Sequence, residues 1–310
     1  MPIHDQGYRH WNGRLRGRIW RSLVIANCGI RLALKKRNLI AMVLLCIVPT
    51  FYFGVALFWV SRDPKSIEMI GRTLGEAEAW GKLVGDDLQA ANLWALMFSR
   101  FMMVQLIPVG IIVTVIGPEL ISKDLRVQAL QVYYSRPLTR VDYILGKLLI
   151  VALFVAIVTF FPAILLYLVA VALEKDIAVI GQSVQTLVGI SVGSLLTALV
   201  AGVVVLACSS LSRRAGTIGI VWAMLLVLPE VAYQLVKATC QGVAGTAKSP
   251  EDWSHLLSIR ANLCQVFTKL FGLERAYDLD WFTSFFVLAA VVALALGLLF
   301  RRAQVLEGEH

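Results

Sequence analysis

Residues 187–211 read LVGISVGSLLTALVAGVVVLACSSL, and this stretch decides the class of fold. It is apolar almost throughout and holds no charged side chain. A helix apolar on every face belongs in a large core or in a membrane. About 20 such residues carry a helix across the hydrocarbon of a bilayer. The chain then turns through Ser212-Arg213-Arg214-Ala215-Gly216-Thr217 and enters a second apolar run, 217–236. Two long runs joined by a short basic link read as a membrane hairpin, its turn on the side that retains Lys and Arg.

Working outward, four more runs have the required length: 39–60, 94–117, 145–173 and 282–300. The expected fold is therefore all-α, a polytopic membrane protein forming a single domain, a six-transmembrane-helix bundle. The runs are continuous, without the period-2 alternation of a membrane barrel. Hydrophobic residues make up 58% of the 310, above the roughly 45–50% of soluble domains. The formal charge of +9 would suggest nucleic acid in a soluble protein. Here the basic residues flank apolar runs, so no nucleic-acid partner is expected. The first run is too long for a signal-peptide core and lacks a small-residue cleavage site, so it is expected to remain as a helix.

Charge also orients the bundle. With the N-terminus inside, the inner segments are 1–38, 118–144 with Lys147 at its edge, 212–216 and 301–310. They hold 18 of the 29 Lys and Arg, and 6 of the 20 acids. Such a bias places both termini in the cytoplasm and the protein in the cell inner membrane. In the arm 1–38, Leu15, Ile19, Leu23, Ala26 and Ile30 share one helical face, opposite Arg14, Arg18 and Arg21. This pattern predicts a basic amphipathic helix lying among membrane lipids at the inner surface. The other reading is a loose basic arm. Segments 61–93 and 237–281 are then extracytoplasmic loops. Residues such as Trp80, Leu83 and Val84, or Trp253, Leu256 and Leu257, predict short surface helices there. Cys240 and Cys264 both fall in the second loop, as a candidate disulfide or as two thiols.

The connector between the second and third runs is the most informative for function. Pro118 suits the first position of a helix, and Glu119 suits its positive end. Ile121, Leu125 and Val132 recur at helical spacing. Pro137 forces Arg136 out of helical geometry. Thr139 and Asp142 form a capping box that opens the next helix, which continues through Gly146-Lys147. An amphipathic helix, a break and a capped re-entry make a rigid handle at one membrane face. A plain connector is the other reading.

This connector resembles the signature of the ABC type-2 exporter permeases, a family that includes permeases of the nitrous-oxide-reductase-maturation type. The matching residues are Glu119, Ser135-Arg136-Pro137, Thr139-Arg140, Tyr143 and Gly146-Lys147. Ser209-Ser210-Leu211-Ser212-Arg213-Arg214-Ala215-Gly216-Thr217 is similar to the family's tight turn between spans four and five. Where many members have Gly-Thr-Leu-Glu, this chain has Gln128-Ala129-Leu130-Gln131. The resemblance implies that 118–144 is the coupling segment that meets an ATP-binding subunit. It implies a second permease copy or paralogue as a further partner. ATP and Mg would be bound by the partner subunit, leaving no catalytic residue and no cofactor in this chain. A phosphate loop is not expected here: in Gly242-Val243-Ala244-Gly245-Thr246-Ala247-Lys248-Ser249, Ala247 stands where the loop needs glycine.

Inside the spans, Glu230 follows Pro229 and Arg100 lies in the second run. A carboxylate in hydrocarbon is costly. Glu230 is therefore a candidate for a substrate path, or it sits at the outer interface where the fifth span ends; Pro229 makes a broken helix plausible there. Arg100 snorkels outward or pairs with Glu230. His4, His10, His255 and His310 are scattered, with no HExxH and no CxxC, so no metal site is expected. Three functions remain in view: an ABC exporter permease, a membrane enzyme, and a non-transport scaffold or assembly factor acting through its extracytoplasmic loops. The enzyme lacks polar catalytic partners for Glu230.

Overall fold

A computed structural model describes residues 18–62, 90–129, 139–173, 184–243, 250–273 and 279–308. Among them there are helices and no strand. In chain order these are α1 (Arg18–Leu34), α2 (Arg37–Leu45), α3 (Ile47–Arg62), α4 (Ala90–Ile116), α5 (Glu119–Arg126) and α6 (Arg140–Val158). They are followed by α7 (Phe160–Leu173), α8 (Val184–Leu211), α9 (Ala215–Val243), a 3₁₀ helix (Pro250–Leu257), α10 (Ile259–Leu270) and α11 (Trp281–Gly308).

Six helical stretches are long and apolar enough to cross a membrane: Leu39–Arg62, Leu93–Arg126, Arg140–Leu173, Val184–Leu211, Ala215–Thr239 and Trp281–Arg302. A chain with six such helices is a multi-pass membrane protein. The stretches enclose the six predicted runs. Connectivity places α1, α5 and the start of α6 at one end of the bundle, and the 3₁₀ helix and α10 at the other.

Spans one and three are each interrupted, at Cys46 and at Thr159. Both breaks fall three residues before a proline, Pro49 and Pro162. A proline ring collides with the carbonyl four residues earlier and leaves that carbonyl without its N–H. Thr159 marks the second break with its hydroxyl donating to the Val155 carbonyl at 2.9 Å. Pro108 and Pro229, by contrast, sit within uninterrupted helices. No break occurs at Pro229, and the helix runs on past Glu230 to Val243.

The hub is α8, which packs against α4, α5, α6, α7, α9, α10 and α11. Its small residues permit this. A Cβ added at Gly202 would lie 2.5 Å from Leu148 Cδ1, and one at Gly193 3.3 Å from Phe267 Cε1. Helices in lipid associate through such close approaches, since lipid tails compete for any larger apolar side chain. The core divides into two clusters. One, around Ile150, Val205 and Leu206, serves the α5 end. The other, around Phe98, Phe101 and Phe267, serves the α10 end.

The helix α1 exists, but the face it buries carries Ser22 and Ala26, while Leu23, Val24 and Trp20 are exposed. Of the described side chains of the predicted apolar stripe, Ala26 alone is fully buried; Leu15 and the side chain of Ile19 lie outside the described residues. Small residues win that face because α1 lies close on α6: a Cβ at Gly146 would come 2.9 Å from Ile25 Cβ and 3.0 Å from the Ser22 carbonyl. One expectation changes, at 237–281. Its α10 is no surface helix, for Ala261 to Thr268 are all buried, packed against α4, α8 and α11. Trp253 in the 3₁₀ helix is exposed, as expected of that segment.

Candidate functional site

At the α5 end, three contacts hold one short helix. The first is a charge cluster. Lys147 Nζ lies 2.7 Å from Asp124 Oδ2, with both side chains at most 15% exposed. Tyr143 donates its hydroxyl to the same oxygen at 2.8 Å. Tyr143 and Lys147 are four residues apart on α6, so they share a face, and the ammonium lies 5.4 Å from the Tyr143 ring centroid.

The second contact is a helix cap supplied from a distance. The residue before α5 is Pro118, which has no side chain able to accept from the first turn. Ser209 of α8 does so instead. Its Oγ accepts from the backbone N–H of Ile121 at 3.0 Å and of Ser122 at 3.2 Å. The same hydroxyl donates to the Pro118 carbonyl at 2.9 Å. Helix N-termini leave their first N–H groups unpaired, and burial makes those groups costly without a partner. The third contact is the ion pair of Lys36 with Glu119 at 2.7 Å, about four-tenths exposed on both sides.

The connector residues singled out in the sequence lie at this end, apart from Ser135, Arg136 and Pro137, which lie outside the described residues. The capping box is present: Thr139 Oγ1 accepts from Asp142 N, and Asp142 Oδ2 accepts from Thr139 N. Arg140 opens α6. Gly146 and Lys147 divide two tasks: Gly146 admits α1, and Lys147 reaches α5. Ser209, from the second motif, meets the first. The sequence placed both motifs at one membrane face without showing that they touch.

The opposite end is built around Glu230. Its Oε1 pairs with Arg260 Nη2 at 2.5 Å and accepts from Gln234 Nε2 at 3.1 Å. Its Oε2 accepts from Ser258 Oγ at 2.5 Å. Ser258 is the N-cap of α10 and also accepts from Ala261 N. A carboxylate here therefore sits at the positive end of α10 and anchors that helix to α9. Arg100 Nη1 lies 3.6 Å from Met103 Sδ. Cys264 is buried in α10, and the side chain of Cys240 lies outside the described residues.

Below the Glu230–Arg260 pair lies a cavity of about 370 Å³. Its walls come from 106–114 of α4, 197–204 of α8, 222–231 of α9 and 259–263 of α10. Among the described residues, Glu230 and Arg260 are its only charged lining residues, and Arg100 is not among the lining. The two threonines in the wall are turned onto their own helices: Thr114 donates to the Gly110 carbonyl, and Thr197 to that of Gly193. Nothing in the sequence marked Arg260, 30 positions from Glu230 in a segment read as a loop.

Compared with protein-family models and with curated proteins, the chain matches none of either.

Proposed function

We propose that this chain is the membrane-spanning permease of an ATP-binding-cassette exporter, driven by a separate ATP-binding subunit and working beside a second permease copy or paralogue. In this reading the α5 end faces the cytoplasm, both termini lie there, and α1 rests among lipid headgroups of the inner membrane. The observation that carries the proposal is the way α5 is held. A short helix at one face is tied through Glu119 to Lys36, at the entry to span one, and through Asp124 to span three. Its first turn is tied to span four through Ser209. A force applied to such a helix by a soluble partner reaches three spans at once. That is what a coupling element requires, since coupling needs contacts that both partners bias. ATP and Mg belong to the partner, and the chain itself performs no bond chemistry.

The competing scaffold reading relied on long extracytoplasmic loops. Burial of α10 in the bundle leaves less of 237–281 for that role. The deciding experiment is affinity purification of the tagged chain in mild detergent, assayed for a co-purifying ATPase. The comparison is the Arg136→Ala, Pro137→Ala double variant. Recovery with the parent chain and loss with the variant supports coupling through this segment. Absence of any ATPase across several detergents overturns the permease reading in favour of a scaffold.

A further inference from the structure

We propose that the cavity between α4, α8, α9 and α10 binds the hydrocarbon chain of an amphiphile whose zwitterionic head meets the Glu230–Arg260 pair. Its volume, about 370 Å³, lies in the range of small-molecule pockets. Trp222 and Glu230 both line it, eight residues apart on α9. At 1.5 Å of rise per residue the slot is about 12 Å long. Its polarity is lopsided along that length. Toward the α5 end the wall is Trp222 and aliphatic side chains, and the hydroxyls of Thr114 and Thr197 are committed to backbone carbonyls. Toward the α10 end stand a carboxylate and a guanidinium. A sugar or a metal ion would find the threonine donors already committed and only their oxygen lone pairs along the walls, too little to offset its desolvation. A molecule apolar along its length and polar at one tip matches the slot.

The head follows from the pair itself. Glu230 and Arg260 neutralise each other, with side chains 24% and 41% exposed. A purely anionic head would place a second negative charge beside Glu230, and a cationic head a second positive charge beside Arg260. Each adds like-charge repulsion to a half-buried pair, where solvent screens charge only in part. A head carrying both charges can lie antiparallel to the pair and avoid both repulsions. Ligand binding here stands independently of ATP coupling; only the step from ligand to transported cargo rests on the permease reading.

The test uses the full chain purified in a maltoside detergent, without any partner subunit. The probe is a lysophosphatidylcholine brominated along its acyl chain, which quenches tryptophan on contact. The expected result is a saturable quenching component that disappears in Trp222→Phe. Ala201→Phe, which places a ring in the slot from α8, should abolish the same component. Gly110→Leu should do so from α4, since a Cβ there already approaches Leu226 Cδ1 to 3.3 Å. Using both keeps the test valid should one variant fold poorly, with elution profile and thermal midpoint as controls. Arg260→Ala should weaken binding about tenfold, the equivalent of one charge-assisted hydrogen bond. Unbrominated lysophosphatidylcholine should displace the probe at about one-tenth the concentration needed for an alkyl sulfate of equal chain length. Quenching that never saturates, or that survives both slot-filling variants, overturns the site. Equal displacement by the alkyl sulfate overturns the zwitterionic head. Neither result bears on whether an ATPase co-purifies, so the two proposals fail separately.

Discussion

Two short helices close the two ends of this bundle, and they are specified in opposite ways. α10 carries its own instructions. Ser258 caps its start with a local hydrogen bond to Ala261 N. Gly272, at φ +72°, ends it in the left-handed geometry that glycine adopts without cost. The N–H groups of Gly272 and Leu273 close that end on the carbonyls of Lys269 and Thr268. α5 has neither device. Its cap comes from Ser209, 88 residues along the chain, and it ends at Gln128, a non-glycine residue at φ +52°. One helix would be drawn correctly from its own residues, and the other is completed by its neighbours. Local signals thus decide whether a helix forms, while its place in the bundle is decided elsewhere.

The comparison breaks most visibly at the ion pairs. Asp124 and Lys147 are 15% and 10% exposed, so removing one leaves a buried charge. Asp124→Ala should cost about 3–5 kcal/mol. The double change Asp124→Leu, Lys147→Met should recover most of that loss, because both charges go together. Thermal unfolding of the purified chain measures both. If the double variant is as unstable as the single one, the shape of the cluster matters and its charge does not.

Glycines test the two ends next. Gly146→Ala brings a Cβ to 2.9 Å from Ile25 Cβ and 3.0 Å from the Ser22 carbonyl. Overpacking of this kind costs about 1–3 kcal/mol. The loss should appear as detachment of α1, read as faster protease cleavage within Arg18–Leu34. At the other end, Gly272→Ala meets both a left-handed φ and the Gln185 side chain. It should lower the thermal midpoint without altering cleavage of α1. Parallel effects on α1 would show that the two ends are not separable.

The caps come third. Ser209→Ala strips the acceptor from two buried N–H groups and the donor from the Pro118 carbonyl, at about 1–3 kcal/mol. Ser258→Ala removes a local cap, at about 1 kcal/mol. It also removes one of the partners of Glu230. If the distal cap is the weaker of the two, α5 is held mainly by its charges.

How far the sequence carried the reading follows from the same contrast. The six spans emerged because unbroken apolar character is a signal written along the chain itself, although the second runs nine residues past its expected end, to Arg126. The Thr139–Asp142 box was equally legible, since both partners lie three residues apart. The burial of α10 was not. Its polar residues spend their hydrogen bonds on backbone: Asn262 Nδ2 donates to the carbonyls of His255, Leu256 and Ser258, and Gln265 Nε2 to that of Leu279. Such a helix reads as polar although it behaves as core. Arg260 went unnoticed for the same reason. Its partner is 30 residues away, and no periodicity links them. On α1 the apolar pattern includes the buried Ala26 but carries no sign of Ser22, whose small polar side chain is buried beside it.

The smallest expected effect is also the one that improves the protein. Gln128 follows the end of α5, where Val127 N–H still donates to the Lys123 carbonyl. At φ +52° its Cβ crowds the backbone, a strain of about 1–2 kcal/mol that glycine does not carry. Gly272 fills the equivalent place after α10. Gln128→Gly should therefore stabilise the folded chain, less whatever freedom glycine adds to the unfolded one, for a net gain of about 0.5–1 kcal/mol. A rise in thermal midpoint would show that α5 lacks only a local terminator and that its remaining hold is tertiary. A fall would mean that the Gln128 side chain contributes to the end of the bundle in its own right. The two short helices would then differ in kind at both termini, with α5 dependent on its neighbours throughout.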